Sequence, residues 1–211
     1  MNINRMKRLN NKLIKISITP GFRILILWFA LANGWRSVMT VFGAAAVHEI
    51  GHWIVLHSCG AKVTELNLGI CGAVMTTENF KLSYGRELLC VLGGPAANLA
   101  AALLLRAVGS ARYDLIGVHL ILCIYNLIPV RTLDGGRALE LCMAWAFGPD
   151  AAESVTRIIS AWASGLIACG IGFVIIKTGG SLWLFPAMLG MIYATIRESG
   201  LSEIFSRRLF E

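Results

Sequence analysis

His48-Glu49-Ile50-Gly51-His52 is the stretch of this chain best equipped for chemistry. Two histidines four residues apart share one face of a helix, one turn above the other. Both can ligate a single zinc ion, with Glu49 beside it as a general base. The setting adds weight. From Thr40 to Leu56 every other residue is Thr, Val, Phe, Gly, Ala, Ile, Trp or Leu. Ionisable groups in an apolar span are costly and are kept for function.

Two further stretches stand out. Gly93-Gly94-Pro95-Ala96-Ala97-Asn98 interrupts an apolar run with small residues that permit close helix approach. Asn126-Leu127-Ile128-Pro129-Val130-Arg131-Thr132-Leu133-Asp134-Gly135-Gly136 supplies a carboxylate. Two imidazoles and one carboxylate leave a fourth zinc position for water, as in hydrolytic sites. Each element also has a plain structural reading. Asp134 can cap the helix that follows it, Asn126 and Pro129 can mark a helix end, and Gly94-Pro95 can be a packing kink.

The elements that must position these groups are apolar helices. Of the 211 residues, 56% are hydrophobic and 15% charged, against about 25% charged in a soluble domain. This is the composition of an all-α polytopic membrane protein. The net charge of +7 comes from basic residues spread along the chain at the ends of apolar runs. That pattern sets orientation in a bilayer, and no nucleic-acid partner is expected. Six cysteines lie far apart without a CxxC, so neither a zinc ribbon nor a redox pair is indicated. The basic start lacks a small-residue cleavage site, so no cleavable signal peptide is expected.

In chain order, residues 1–21 are expected to form a basic cytoplasmic N-terminal segment, with 1–18 amphipathic along the membrane surface or a disordered tail. Residues 22–197 form a single transmembrane domain and 198–211 a cytoplasmic tail. A short first helix is expected near 22–35, a second at 37–57 carrying the histidines, and a third at 88–108. A fourth spans 114–128, a partly polar helix 137–147, a fifth span 158–176 and a sixth 182–196. The alternating Val63-Thr64-Glu65-Leu66-Asn67-Leu68-Gly69, followed by Gly72, suits a small membrane-associated β-hairpin over 62–77.

With six spans and a cytoplasmic N-terminus, fifteen of the nineteen Lys and Arg fall inside and four outside, as the positive-inside rule requires. The second helix then enters from outside and brings His48 and His52 to its cytoplasmic half. The fourth ends on the same side, just before Asp134. His119, fifteen residues earlier, would sit roughly 22 Å away along a continuous helix, and His57 points to another face. Asp134 is therefore the preferred third ligand.

HEIGH in an apolar helix, then GGPAAN, then NLIPVRTLDGG resembles the site-2 protease family of intramembrane zinc metalloproteases. The resemblance covers residues 20–197, and the short first helix looks like the branch containing the stage IV sporulation protease FB. It implies a three-helix catalytic core with His48, His52 and Asp134 as zinc ligands and Glu49 as catalytic base. It implies that Asn126 contacts the substrate backbone or the oxyanion. Leu66, Asn67, Leu68, Gly69 and Ile70 would form an edge strand that pairs with unwound substrate, with Pro129 also on the substrate side. No CBS or PDZ domain is expected, so nucleotide sensing and PDZ gating are not implied.

The function expected is hydrolysis of a peptide bond in or near a transmembrane segment of a membrane-tethered protein. A regulatory membrane protein is an expected partner, the plasma membrane the expected location, and oligomerisation is left open. The alternative is a non-enzymatic membrane metal-binding scaffold or transporter.

Overall fold

The computed structural model describes residues 15–69, 72–77, 82–178 and 184–198. Strand β1 (Lys15–Ile18) leads into helix α1 (Pro20–Ser58), then β2 (Val63–Gly69) and β3 (Gly72–Thr77). Helices α2 (Tyr84–Ala107), α3 (Tyr113–Asn126), α4 (Asp134–Phe147), α5 (Pro149–Lys177) and α6 (Phe185–Glu198) follow.

Three helices, α1, α2 and α5, are long and apolar enough to cross a membrane, and α3 and residues 185–196 of α6 form shorter apolar helices. Their outward faces carry Leu31, Trp35, Leu103, Leu104, Trp162 and Ile176, all exposed. This is a membrane protein.

Helix α1 contains the first two expected helices. It breaks at Gly34, whose φ of 76° and ψ of 161° are not helical. Such a positive φ is readily reached by glycine. The two arms fold back on each other: the Phe42 ring lies 5.7 Å from Phe22 and 6.2 Å from Phe29. In a straight helix Phe22 and Phe42 would be about 30 Å apart. Entry into the first arm is fixed by Thr19, whose hydroxyl accepts from the Phe22 amide at 3.3 Å, and by Pro20 in the first turn.

Two expectations are corrected here. Residues 15–18 are neither a surface-lying amphipathic segment nor a disordered tail but a strand, paired parallel to β2 with Lys15 opposite Glu65 and Ile18 opposite Leu68. Thr19 extends the link by donating its amide and its hydroxyl to the Leu68 carbonyl, at 3.0 and 3.1 Å. Residues 1–14 and 199–211 lie outside the described residues. The hairpin forms as expected from β2 and β3, antiparallel, with Leu66 opposite Met75 and Asn67 opposite Val74. Because β1 occupies its other side, β2 is the central strand of a three-stranded sheet in the order β1-β2-β3. Leu66, Asn67 and Leu68 are therefore paired on both sides, Gly69 is paired with Gly72 of β3 alone, and Ile70 lies outside the described residues. Among the described residues, the free edge on the hairpin side belongs to β3.

The core that holds the carboxylate end in place packs Val130, Met191 and Ala194 against Tyr125, Ile128, Leu133, Ala163 and Ile167. The Asn126–Asp134 turn is thereby clamped between α3, α5 and α6. Arg131 donates its amide to Ser160 Oγ of α5 at 3.0 Å.

Candidate metal centre

His48 and His52 project from the second arm of α1 toward α2. Their approach depends on missing side chains. A Cβ on Gly51 would sit 2.4 Å from the Gly93 carbonyl oxygen, and one on Gly93 would sit 2.8 Å from that of Gly51. No side chain fits at either position, so the two backbones touch there. Gly94 does the same for the imidazoles. A Cβ there would lie 2.3 Å from His52 Nε2 and 2.6 Å from His48 Nε2. Pro95 follows, and its missing N–H leaves the Val91 carbonyl without its helical donor. The GGPAAN stretch is thus a cradle for the two rings.

Asp134 arrives from the first turn of α4. Its placement needs Gly135 and Gly136, where a Cβ would meet the Leu127 carbonyl oxygen at 2.1 Å and that of Val130 at 2.2 Å. The chain folds back over its own glycines, which swings the carboxylate toward α1.

Asp134 Oδ2 lies 3.0 Å from His48 Nε2 and 3.3 Å from His52 Nε2, and the two Nε2 atoms are 3.1 Å apart. His48, His52 and Asp134 form a group able to hold a metal ion. Oδ2 is buried and makes no hydrogen bond of acceptable geometry. A buried, unsatisfied carboxylate oxygen against two imidazole nitrogens fits a cation between them.

The imidazoles are braced from behind. His52 Nδ1 lies 2.8 Å from the Cys90 carbonyl oxygen, which leaves Nε2 bare for a ligand bond. The Gly94 amide also leans on Nδ1, at 3.3 Å; the shorter contact to a carbonyl assigns the ring proton to Nδ1. His48 Nδ1 lies 3.2 Å from Asn98 Nδ2, and Asn98 Oδ1 lies 3.0 Å from His119 Nδ1.

The group faces a cavity of about 1000 Å³ lined by His48, Glu49, His52, Asn126, Asp134 and Arg137, with Gly72, Ala73, Val74, Met75 and Thr77 of β3 along one side. Glu49 thus opens onto the same space as the ligand set. Asn126 also lines it, its amide nitrogen donating to the Leu122 carbonyl at 3.0 Å. Pro129, Leu66, Asn67, Leu68 and Gly69 do not line this cavity.

His57 is exposed and stacks on Trp53, with ring centroids 5.5 Å apart. His119 is no member of the ligand group, yet it is 4% exposed and stands one residue behind His48, through Asn98. Sequence reasoning left out this partnership. The available signal was two polar side chains at the middle of apolar helices, where each needs a partner.

The fold is similar to that of a solved site-2 protease. The structure superposes on the site-2 protease from Methanocaldococcus jannaschii with a TM-score of 0.62, over 87% of this chain and 90% of that one, at 20% identity. No family model matches the chain. Among curated proteins it is similar to two named "Putative zinc metalloprotease". One is Rip3 of Mycobacterium tuberculosis, 28% identical over 90% of this chain and 51% of the relative. The other is sll0528 of a Synechocystis strain, 27% identical over 71% and 43%. "Zinc metalloprotease MJ0392" of Methanocaldococcus jannaschii is 26% identical over 60% and 41%. The chain spans about half the length of the relatives it matches.

Proposed function

We propose that this chain is a zinc-dependent intramembrane endopeptidase. The observation that carries the reading is the convergence of His48, His52 and Asp134 from two separate elements, with Glu49 facing the same cavity. The zinc metalloprotease names of its relatives support zinc as the metal.

Zinc held there supplies Lewis acidity that makes water a strong nucleophile and polarises the scissile carbonyl. The residues do the rest. Glu49 accepts a proton from the attacking water and returns it to the leaving amine. Asn126, at the cavity wall, is placed to contact the substrate backbone. The edge of β3 offers backbone donors and acceptors to an extended peptide. A peptide bond in an intact helix has its groups tied internally, so the substrate segment must unwind before it can pair with β3.

Counting each arm of α1 separately with α2, α5 and the shorter apolar helices α3 and α6 supports a reading with six spans. In that reading the protein is multi-pass in the plasma membrane with both termini cytoplasmic, and the cavity opens on the cytoplasmic side. The substrate is a membrane-tethered protein, and a membrane protein that restrains cleavage is its regulatory partner. A metal-binding scaffold or transporter offers no role for Glu49 beside the ligands.

The test is direct. Protein purified in detergent should hold about one zinc per chain and cut a reporter bearing a transmembrane helix. Glu49→Gln should keep the zinc and lose the cutting. Wild-type protein that never holds metal sinks the proposal.

A further inference from the structure

Donors and acceptors alternate without conflict along one buried line in this structure. His119 Nδ1 lies 3.0 Å from Asn98 Oδ1, and Asn98 Nδ2 lies 3.2 Å from His48 Nδ1. An amide oxygen only accepts and an amide nitrogen only donates, so with the amide this way round His119 carries its proton on Nδ1 and His48 on Nε2. His48 Nε2 then faces Asp134 Oδ2 at 3.0 Å and His52 Nε2 at 3.1 Å, and His52 Nδ1 faces the Cys90 carbonyl at 2.8 Å. Asn98 is fully buried, His119 and His48 nearly so, and the line crosses α3, α2 and α1. In that direction His52 has a bare Nε2, but His48 carries its proton on Nε2. It therefore has no lone pair to offer a metal.

To ligate, His48 must carry its proton on Nδ1 and donate it backward. The neighbour there must then present an acceptor. The Asn98 amide can do so without moving any heavy atom out of place, because rotation by half a turn exchanges its oxygen and nitrogen. Its NH₂ then faces His119 Nδ1, which must accept. Each imidazole stays neutral: in His48 and in His119 the proton leaves one ring nitrogen and returns on the other.

We infer that Asn98 and His119 are positioning residues that set the tautomer of His48, the Asn98 amide presenting its oxygen to His48 Nδ1 when His48 ligates zinc. His119, neutral with a bare Nδ1, holds the amide in the ligating orientation. The inference rests on the metal reading above and adds a reason for two buried polar groups that the hydrolytic step does not use.

The test is zinc affinity, measured by chelator competition on purified protein in detergent, with melting of the metal-free forms as a control for folding. Asn98→Leu should weaken zinc by about 10–100-fold. Asn98→Asp should keep wild-type affinity, because a carboxylate only accepts and needs no orienting. His119→Leu should weaken zinc in the wild-type background and have no effect in the Asn98→Asp background. Wild-type affinity in Asn98→Leu overturns the inference, as does an equal loss from His119→Leu in both backgrounds. If Asn98→Leu does not fold, the comparison of His119→Leu in the two backgrounds decides alone. Wild type that binds no zinc fails at the earlier step and overturns the metal reading with it.

Discussion

The two walls of the cavity are built on opposite terms. On the α1–α2 side, backbone meets backbone at Gly51 and Gly93, and Gly94 leaves room for two rings. Nothing there can shift without moving the ligands, because packed interiors have no slack. On the other side stand β3 and the pair of Arg137 with Glu87, which are partly exposed. Contacts there are edge hydrogen bonds and ion pairs screened by water. The ligand wall demands fixed geometry for chemistry. The rim can yield, as a surface that admits a peptide must. Substitutions should therefore separate into two kinds of failure: loss of metal or chemistry on one wall, and graded loss of substrate handling on the other.

The largest effect should come from Glu49→Gln. General acid–base groups contribute about 10²–10⁴-fold, so cleavage of a helical reporter should fall by at least that range while zinc content stays at the wild-type level. Gly94→Ala should fail differently. Its methyl would occupy the space of both Nε2 atoms, so zinc should be lost along with activity. Gly51→Ala should separate the two backbones and destabilise the fold by about 1–3 kcal/mol, read as a lower melting temperature even without metal. If Gly94→Ala binds zinc normally, the rigid-wall account is wrong.

The ligand wall was largely legible in the sequence. HExxH spacing places two rings on one helix face, the expected charge topology pointed to Asp134 as their companion, and the structure brings the three together. The glycines beside the rings were visible as small residues, but their partners were not, since which backbone approaches which is a tertiary fact. Asn98 and His119 could be seen as polar residues in apolar helices. Their pairing with His48 could not, because it joins three helices that are distant in sequence. The rim was misread for a related reason. The alternation of Val63 to Gly69 marks a strand correctly, but edge or centre depends on what lies on its far side. That neighbour is Lys15–Ile18, a four-residue stretch at the end of a basic segment and too short to announce a strand, so the edge was assigned to β2 when among the described residues it belongs to β3.

The β3 edge can be tested one donor at a time. Neighbouring strand residues direct their N–H groups to opposite edges, so of Ala73→Pro and Val74→Pro one removes an outward donor and the other breaks the pairing with β2. The first should lower kcat/KM by about tenfold, the worth of one backbone hydrogen bond, with zinc content unchanged. The second should disturb the sheet itself. If neither changes cleavage of a substrate that must unwind, peptide addition to β3 is wrong.

The smallest effect should come from the ion pairs at the mouth. Arg137 bonds Glu87 of α2 and, at 3.2 Å, Glu140 one turn along its own helix. It sits three residues after Asp134, so the bridge ties the ligand-bearing turn of α4 to the start of α2. Its side chain is 47% exposed and that of Glu87 32%, and ion pairs in such settings contribute about 0–1 kcal/mol. Arg137→Gln should therefore leave zinc affinity intact and shift the melting temperature by a few degrees at most. Wild type should lose that margin in high salt and Arg137→Gln should not, because screening removes only what the charge supplied. A variant that instead sheds zinc would show that the rim holds Asp134 in place, and the division between a fixed wall and a yielding one would have to be redrawn at the first turn of α4.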